Sequence, residues 1–173
     1  MTMPPALRKF TLVVHVISSV SSLGAVACFL ALGLVGLGSA DAQTAGSLYV
    51  AMDAIARLVI LPMVLASLIT GLVQALGTVW GVFLHYWVLA KFLLTVLTAV
   101  VLLLQLDLIG YVAAAAAKGL AEADLLGPRS SLVVHAAGGI VVLITTTVLS
   151  IYKPRGLTRY GWRKQHGQLA NRP

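Results

Sequence analysis

Apolar residues run in four long, almost uninterrupted stretches along this chain. They cover roughly residues 10–37, 54–76, 86–109 and 131–152. About 20 apolar residues in a helix cross the hydrocarbon layer of a bilayer. Because lipid offers no partner to unpaired backbone groups, each stretch is expected to be an α-helix. The pattern predicts an all-α protein, a bundle of four transmembrane helices that forms one domain.

Three polar or glycine-containing breaks separate the stretches, at residues 38–43, 77–81 and 122–129. The alanine run after residue 112 is expected to extend the third helix to about residue 117, because alanine has the highest helix propensity. Pro62 is expected to bend the second helix. The first stretch is longer than the apolar region of a signal peptide, so we interpret it as a retained helix.

Composition agrees with a membrane protein. Of the 173 residues, 60% are hydrophobic and 10% are charged, and the mean hydropathy is +0.99. Average soluble domains contain about 25% charged residues. A water-soluble domain is therefore excluded.

The positive charges lie mostly at the two ends of the chain. Eight of the twelve lysines and arginines flank the first or follow the fourth stretch: Arg8, Lys9, Lys153, Arg155, Arg159, Arg163, Lys164 and Arg172. By the positive-inside rule, both termini are expected in the cytoplasm and the protein in the plasma (inner) membrane. The basic tail, residues 153–173, contains aromatic residues and is expected to bind anionic lipid headgroups rather than nucleic acid.

Ionisable residues inside the predicted spans are the candidate functional residues, because each is costly to place in lipid. His15, His85 and Lys91 fall toward the cytoplasmic side, whereas Arg57 and His135 fall toward the outer side. His15 and His135 differ in depth by roughly 20 Å at the rise of an α-helix, so the two cannot ligate one heme iron.

Each candidate has a structural and a functional interpretation. His15 needs a hydrogen-bonding partner inside the membrane or serves as a ligand. His85 belongs either to an interfacial aromatic belt or to a ligand pair with His15. Lys91 extends to the interface or has a buried role. Arg57 pairs with Asp53 four residues earlier, or its planar fork binds an anionic group.

Several other kinds of site have no matching pattern. Cys28 is the only cysteine, which excludes an intrachain disulfide and a CxxC metal site. The sequence also has no glycine-rich phosphate loop and no HExxH zinc motif.

Several segments resemble an uncharacterised family of bacterial, mainly actinobacterial, integral membrane proteins. They are RLVILP at 57–62, LITGL at 68–72, Trp80, HYWVLAKFLLT at 85–95 and YKPRG at 152–156. More distantly, their order resembles the four-helix membrane protoporphyrinogen oxidases and the membrane domain of copper-resistance proteins. In those oxidases, a histidine on the first helix and a lysine on the third are associated with heme binding or activity. The resemblance implies that His15 and Lys91 are the matching residues here.

The sequence leaves three functions open. The first is a heme-binding or redox-linked protein, with heme b ligated at the iron by His15 and by His85 as a possible second ligand. In such a protein, Lys91 or Arg57 would pair with the heme propionates or with a quinone. The second is an accessory or scaffold subunit without chemistry that contacts a membrane partner. The third is a small permease component, which needs a homo-oligomer because four helices rarely enclose a route alone. Whether the protein is an enzyme stays open.

Overall fold

The structure is a computed structural model that describes residues 3–78, 81–118, 122–154 and 156–163. It is 89% helical. Four helices follow one another along the chain: α1 (Pro5–Gly38), α2 (Ala42–Gly77), α3 (Tyr86–Ala117) and α4 (Glu122–Tyr152). Each contains a span long and apolar enough to cross a membrane. The predicted all-α bundle of four transmembrane helices is confirmed.

The outer surface of the bundle is apolar. Large hydrophobic side chains such as Phe10, Val20, Leu104 and Ile151 are more than 60% exposed. A soluble bundle would bury such residues, whereas a bilayer solvates them. The protein is therefore a multi-pass membrane protein.

Helix α2 begins at Ala42, well before the expected start near residue 54. Asp41 caps it by accepting hydrogen bonds from the backbone N–H groups of Gln43 and Thr44. The Thr44 hydroxyl donates to the same carboxylate, and together these bonds hold the pKa of Asp41 below its ordinary value. The predicted span therefore covers only the later part of this helix.

A π-helical turn, Ala56–Ile60, interrupts α2 just before Pro62. Within it, the Leu61 N–H donates to the Ala56 carbonyl, which is five residues earlier. Proline has no N–H for the regular ladder, so a helix commonly adjusts its hydrogen bonding next to it. The structure thus has a π-helical turn next to Pro62, and the bend expected there stays a prediction.

The segment 122–129, expected as a break, is helical in the structure, and Pro128 lies inside α4. Pro128 is the seventh residue of α4, where its φ angle suits a helix but its missing N–H removes one hydrogen bond of the ladder. The Ser130 hydroxyl donates to the Gly127 carbonyl beside it. The segment between α3 and α4 is correspondingly shorter than expected.

Helix α1 contacts both α2 and α4 through small residues. Ser18, Ser22, Gly33 and Gly36 are buried on it. A Cβ at Gly36 would lie 3.0 Å from the ring of Tyr49 on α2. Small residues at such positions let membrane helices approach closely.

Candidate functional site

One end of the bundle brings together the start of α1, the end of α2, the start of α3 and the end of α4, because successive helices run in opposite directions. We call it the basic end, since Arg8, Lys9 and Lys153 lie there. A cavity of about 670 Å³, the basic cavity, extends from this end into the bundle between all four helices. In the described part of the chain, no aspartate or glutamate lines it.

His15 of α1 lines the basic cavity and is held by α2. Its Nδ1 lies 3.0 Å from the Ser67 carbonyl oxygen and 3.1 Å from the Thr70 hydroxyl oxygen. The Thr70 hydroxyl donates to the Ala66 carbonyl, so its oxygen acts as an acceptor toward His15. Both partners therefore require a proton on Nδ1, which leaves the lone pair on Nε2 of a neutral ring. Among the described residues, Nε2 has no hydrogen-bond partner.

Gly71 makes room for this ring. A Cβ at position 71 would lie 3.1 Å from Cε1 of His15 and 3.5 Å from Nδ1. The first distance is tighter than ordinary van der Waals contact and the second is at its lower edge, so the imidazole would have to shift to admit a side chain here. The segment Ser67–Gly71 thus supplies both the hydrogen bonds and the space that orient His15.

Lys91 of α3 lines the same cavity. Its Nζ lies 5.8 Å from the ring centroid of Trp87, one helical turn earlier, within cation–π range. The structure therefore brings His15 and Lys91 to one cavity.

Polar groups from α2 and α4 complete the lining. Ser19 and Ser67 hydroxyls form a hydrogen bond of 2.8 Å across α1 and α2. The side-chain nitrogen of Gln74 is buried and has no hydrogen-bond partner among the described residues. Thr147 and Ser150 of α4 also line the cavity, and each donates its hydroxyl to its own helix. The cavity therefore combines apolar walls with an imidazole, cations and hydroxyls.

His85 lies outside the basic cavity. It precedes α3, forms an antiparallel bridge with Leu157, and places its ring 6.5 Å from that of Trp87. It is not among the residues that line the basic cavity. The structure does not bring His85 to the cavity that His15 lines.

Arg57 lies in the π-helical turn and is tied to protein groups. Its Nε donates to the Asp53 carboxylate at 2.8 Å, and its Nη2 donates to the Leu106 carbonyl of α3 at 3.0 Å. Gly110 leaves space for the guanidinium, because a Cβ there would lie 2.9 Å from Nη2. The intrahelical ion pair with Asp53 is present, and Arg57 joins α2 to α3 outside the basic cavity.

Arg129 is a buried charged residue that the sequence analysis did not select. It is 5% exposed, and its guanidinium lies 5.0 Å from the ring centroid of Tyr49, which is 1% exposed. The sequence signal was weak because Arg129 directly follows Gly127 and Pro128, a pair typical of loops.

The start of the basic tail is fixed to the loop before α3. The Thr158 hydroxyl donates to the Phe83 carbonyl, and the Thr158 N–H donates to the Leu84 carbonyl at 2.9 Å. The Tyr86 N–H donates to the Gly156 carbonyl at 3.3 Å. We call these three bonds the tail clasp. Trp80, Arg155, Lys164 and Arg172 lie outside the described residues.

Within the described residues, no group of three or more histidines, cysteines or acids is arranged to hold a metal ion. A heme iron needs only one or two protein ligands, because the porphyrin supplies the others. A single imidazole with a free Nε2 in a roomy cavity is suited to that kind of ligation.

Comparisons with protein-family models, with curated proteins and with solved structures find no match to this chain.

Proposed function

We propose that this membrane protein binds heme b in the basic cavity, with Nε2 of His15 as the iron ligand. The observation that supports this most strongly is the fixed tautomer of His15. Metal-ligating histidines typically donate their other N–H to a carbonyl, which orients the ring and raises its basicity. Nδ1 of His15 has that arrangement with Ser67 and Thr70.

The other lining residues fit the rest of a heme. A porphyrin is flat and apolar and carries two propionates at one edge. The cavity volume of about 670 Å³ lies in the range of known cofactor sites. Lys91, Arg8, Lys9 and Lys153 supply positive charge without a competing carboxylate in the described lining.

A bound heme would supply one-electron redox chemistry. The role of this chain would be to ligate and orient the group and to hold its propionates toward the basic end. His85 and Arg57, which lie outside the cavity, are not assigned to the site.

In this proposal, the protein lies in the plasma membrane with the basic end and both termini in the cytoplasm. The described basic residues of α1 and of the tail support this by the positive-inside rule. Tyr152, Tyr160 and Trp162 are more than half exposed beside Lys153, Arg159 and Arg163. Such a mixture of aromatic and basic residues suits contact with anionic lipid headgroups.

The test is a visible absorption spectrum of the detergent-purified protein, oxidised and dithionite-reduced, with and without added heme. The variant His15→Ala is compared with His135→Ala, which removes a histidine of α4 that does not line the basic cavity. We expect a Soret band in wild type and in His135→Ala and its loss in His15→Ala. A featureless wild-type spectrum after heme addition, or a band unchanged in His15→Ala, would overturn the proposal. The first of these results would favour the accessory-subunit hypothesis.

A further inference from the structure

A second cavity of about 310 Å³ lies farther from the basic end, and α3 and α4 form much of its wall. We call it the apolar cavity. Its lining is almost entirely hydrophobic, and within the described residues it includes no lysine, arginine, aspartate or glutamate. It shares Val64, Thr98 and Leu143 with the basic cavity.

Three polar side chains line the apolar cavity: Thr98, Gln105 and His135. The start of α3 and the end of α4 both line the basic cavity, so these two helices run antiparallel. Position 105 is about as far from the end of α3 at Ala117 as position 135 is from the start of α4 at Glu122, so the two positions lie at nearly the same level of the bundle. The cavity therefore has an amide on one helix and an imidazole at the same level on the neighbouring helix.

The free atoms of these groups define the ligand. Nδ1 of His135 donates to the Ser131 carbonyl at 2.8 Å, so the neutral ring has its lone pair on Nε2. Among the described residues, neither this nitrogen nor the Gln105 amide has a hydrogen-bond partner. Thr98 donates its hydroxyl to the Leu94 carbonyl, so only its lone pairs remain for a ligand. The site therefore contains two acceptors, Nε2 and the Thr98 oxygen, and one amide that both donates and accepts.

From this geometry we propose that the apolar cavity binds the ring of a neutral, lipid-soluble hydroquinone. A hydroquinone presents hydroxyl donors, which match the His135 and Thr98 acceptors, on an apolar ring that matches the hydrophobic lining. A cavity without a charged lining group does not favour an ionic headgroup. The side chain of His135 is exposed on the bundle surface, so a ligand can enter from the lipid phase. This proposal rests on different residues from those assigned to heme and does not depend on them.

Binding is tested with a short-tailed benzohydroquinone, its oxidised quinone, and an alkylbenzene of the same tail length. Each is titrated against the full-length purified protein in nanodiscs by equilibrium dialysis under anaerobic conditions. We expect saturable binding of the hydroquinone, about tenfold tighter than the quinone and the alkylbenzene, because they lack the hydroxyl donors. Alkylbenzene binding as tight as hydroquinone binding would overturn the proposal and identify a pocket for lipid chains.

Variants separate a specific site from general partitioning. Gly138 lines the cavity, and a Cβ added there would have no other atom within 4 Å. In Gly138→Leu the Cβ therefore meets no clash, and the rest of the leucine side chain fills the cavity. Gly24→Leu is the matched control, because Gly24 has equally open surroundings and lines neither cavity. We expect at least tenfold weaker hydroquinone binding in Gly138→Leu and wild-type binding in Gly24→Leu. Equal binding by the two variants would overturn the proposal.

His135→Phe tests the choice of the reduced form. We expect it to remove most of the preference for hydroquinone over quinone, because the Nε2 acceptor is lost while the ring volume is kept. A preference unchanged in His135→Phe would contradict the assigned role of this residue. The Soret band measured on the same samples reports on heme separately, so failure of one proposal is distinguishable from failure of the other.

Discussion

His15 and Arg57 are both ionisable residues inside membrane-spanning helices, and their surroundings differ in one decisive respect. Arg57 directs its guanidinium at the Asp53 carboxylate and the Leu106 carbonyl, both groups of the protein. His15 uses one ring nitrogen for Ser67 and Thr70 and lines a cavity with the rest of its ring. Arg57 joins α2 to α3, whereas His15 is oriented toward the basic cavity.

The two residues show how a polar residue with a structural role in a membrane differs from one with a functional role. The cost of a polar group in lipid is offset either by protein partners alone or by partners together with a ligand. A residue of the first kind should affect stability when it is replaced. A residue of the second kind should affect binding.

The largest expected effect comes from Gly71→Leu. The new side chain would occupy the space of the His15 ring, since even a Cβ lies 3.1 Å from Cε1. We expect loss of the heme Soret band, as in His15→Ala, although His15 itself is retained. The measurement is a heme titration followed by absorption, with Gly24→Leu as the control. Wild-type heme affinity in Gly71→Leu would show that the orientation of His15 is unimportant.

Lys91→Met should have a smaller effect on the same site. It removes a positive charge from the cavity and keeps a long apolar side chain, so we expect heme binding to weaken about tenfold. The control is Lys118→Met, which removes a lysine just beyond the other end of α3. Similar heme affinities for the two variants would argue against a specific role of Lys91.

Arg57→Met should lower stability and leave heme binding unchanged. It breaks the ion pair with Asp53 and the hydrogen bond to Leu106, for an expected loss of about 1 kcal/mol in the free energy of unfolding. Unfolding in mixed micelles measures this, and the double variant with Asp53→Asn tests whether the two residues act as a pair. A tenfold fall in heme affinity would place Arg57 among the functional residues after all.

The smallest effect is expected at Asp41. Hydrogen bonds from Thr44 lower the pKa of its carboxyl in the folded protein. Its contribution to stability is therefore complete above the ordinary aspartate pKa of about 4 and is lost as the pH falls through the lower folded value. In Asp41→Asn, which keeps a capping oxygen but does not titrate, the unfolding temperature should fall less over that range. Thermal unfolding between about pH 5 and pH 2 compares the two proteins, and parallel curves would contradict this role of Asp41.

The spans were predictable from the sequence because lipid imposes one simple requirement, about 20 apolar residues in a helix. The ends of the helices were not predictable, since they depend on local hydrogen bonds. Asp41 starts α2 through a cap at a position that the hydropathy pattern had marked as a break. Gly127 and Pro128 are a pair typical of loops, yet Pro128 lies within α4.

The site was only partly predictable for a different reason. His15 and Lys91 stand out as polar residues in apolar helices, and the structure places both at one cavity. Their partners do not stand out, because Ser67 and Gly71 are ordinary small residues in a membrane helix. Their importance depends on which face of α2 meets α1, and one sequence does not contain that information. The position of His85 likewise depends on a contact with Leu157, far along the chain.

The tail clasp can form only late in the synthesis of the protein. Thr158 bonds to Phe83 across 75 positions of sequence, and the ribosome makes residue 158 after all four helices. The loop before α3 can acquire these partners only after α3 and α4 have been synthesised. Lys153 joins the cavity wall at the same late stage. A cofactor that requires the whole lining would therefore be loaded only after α4 and Lys153 have been made, into a helix bundle that is already assembled in the membrane.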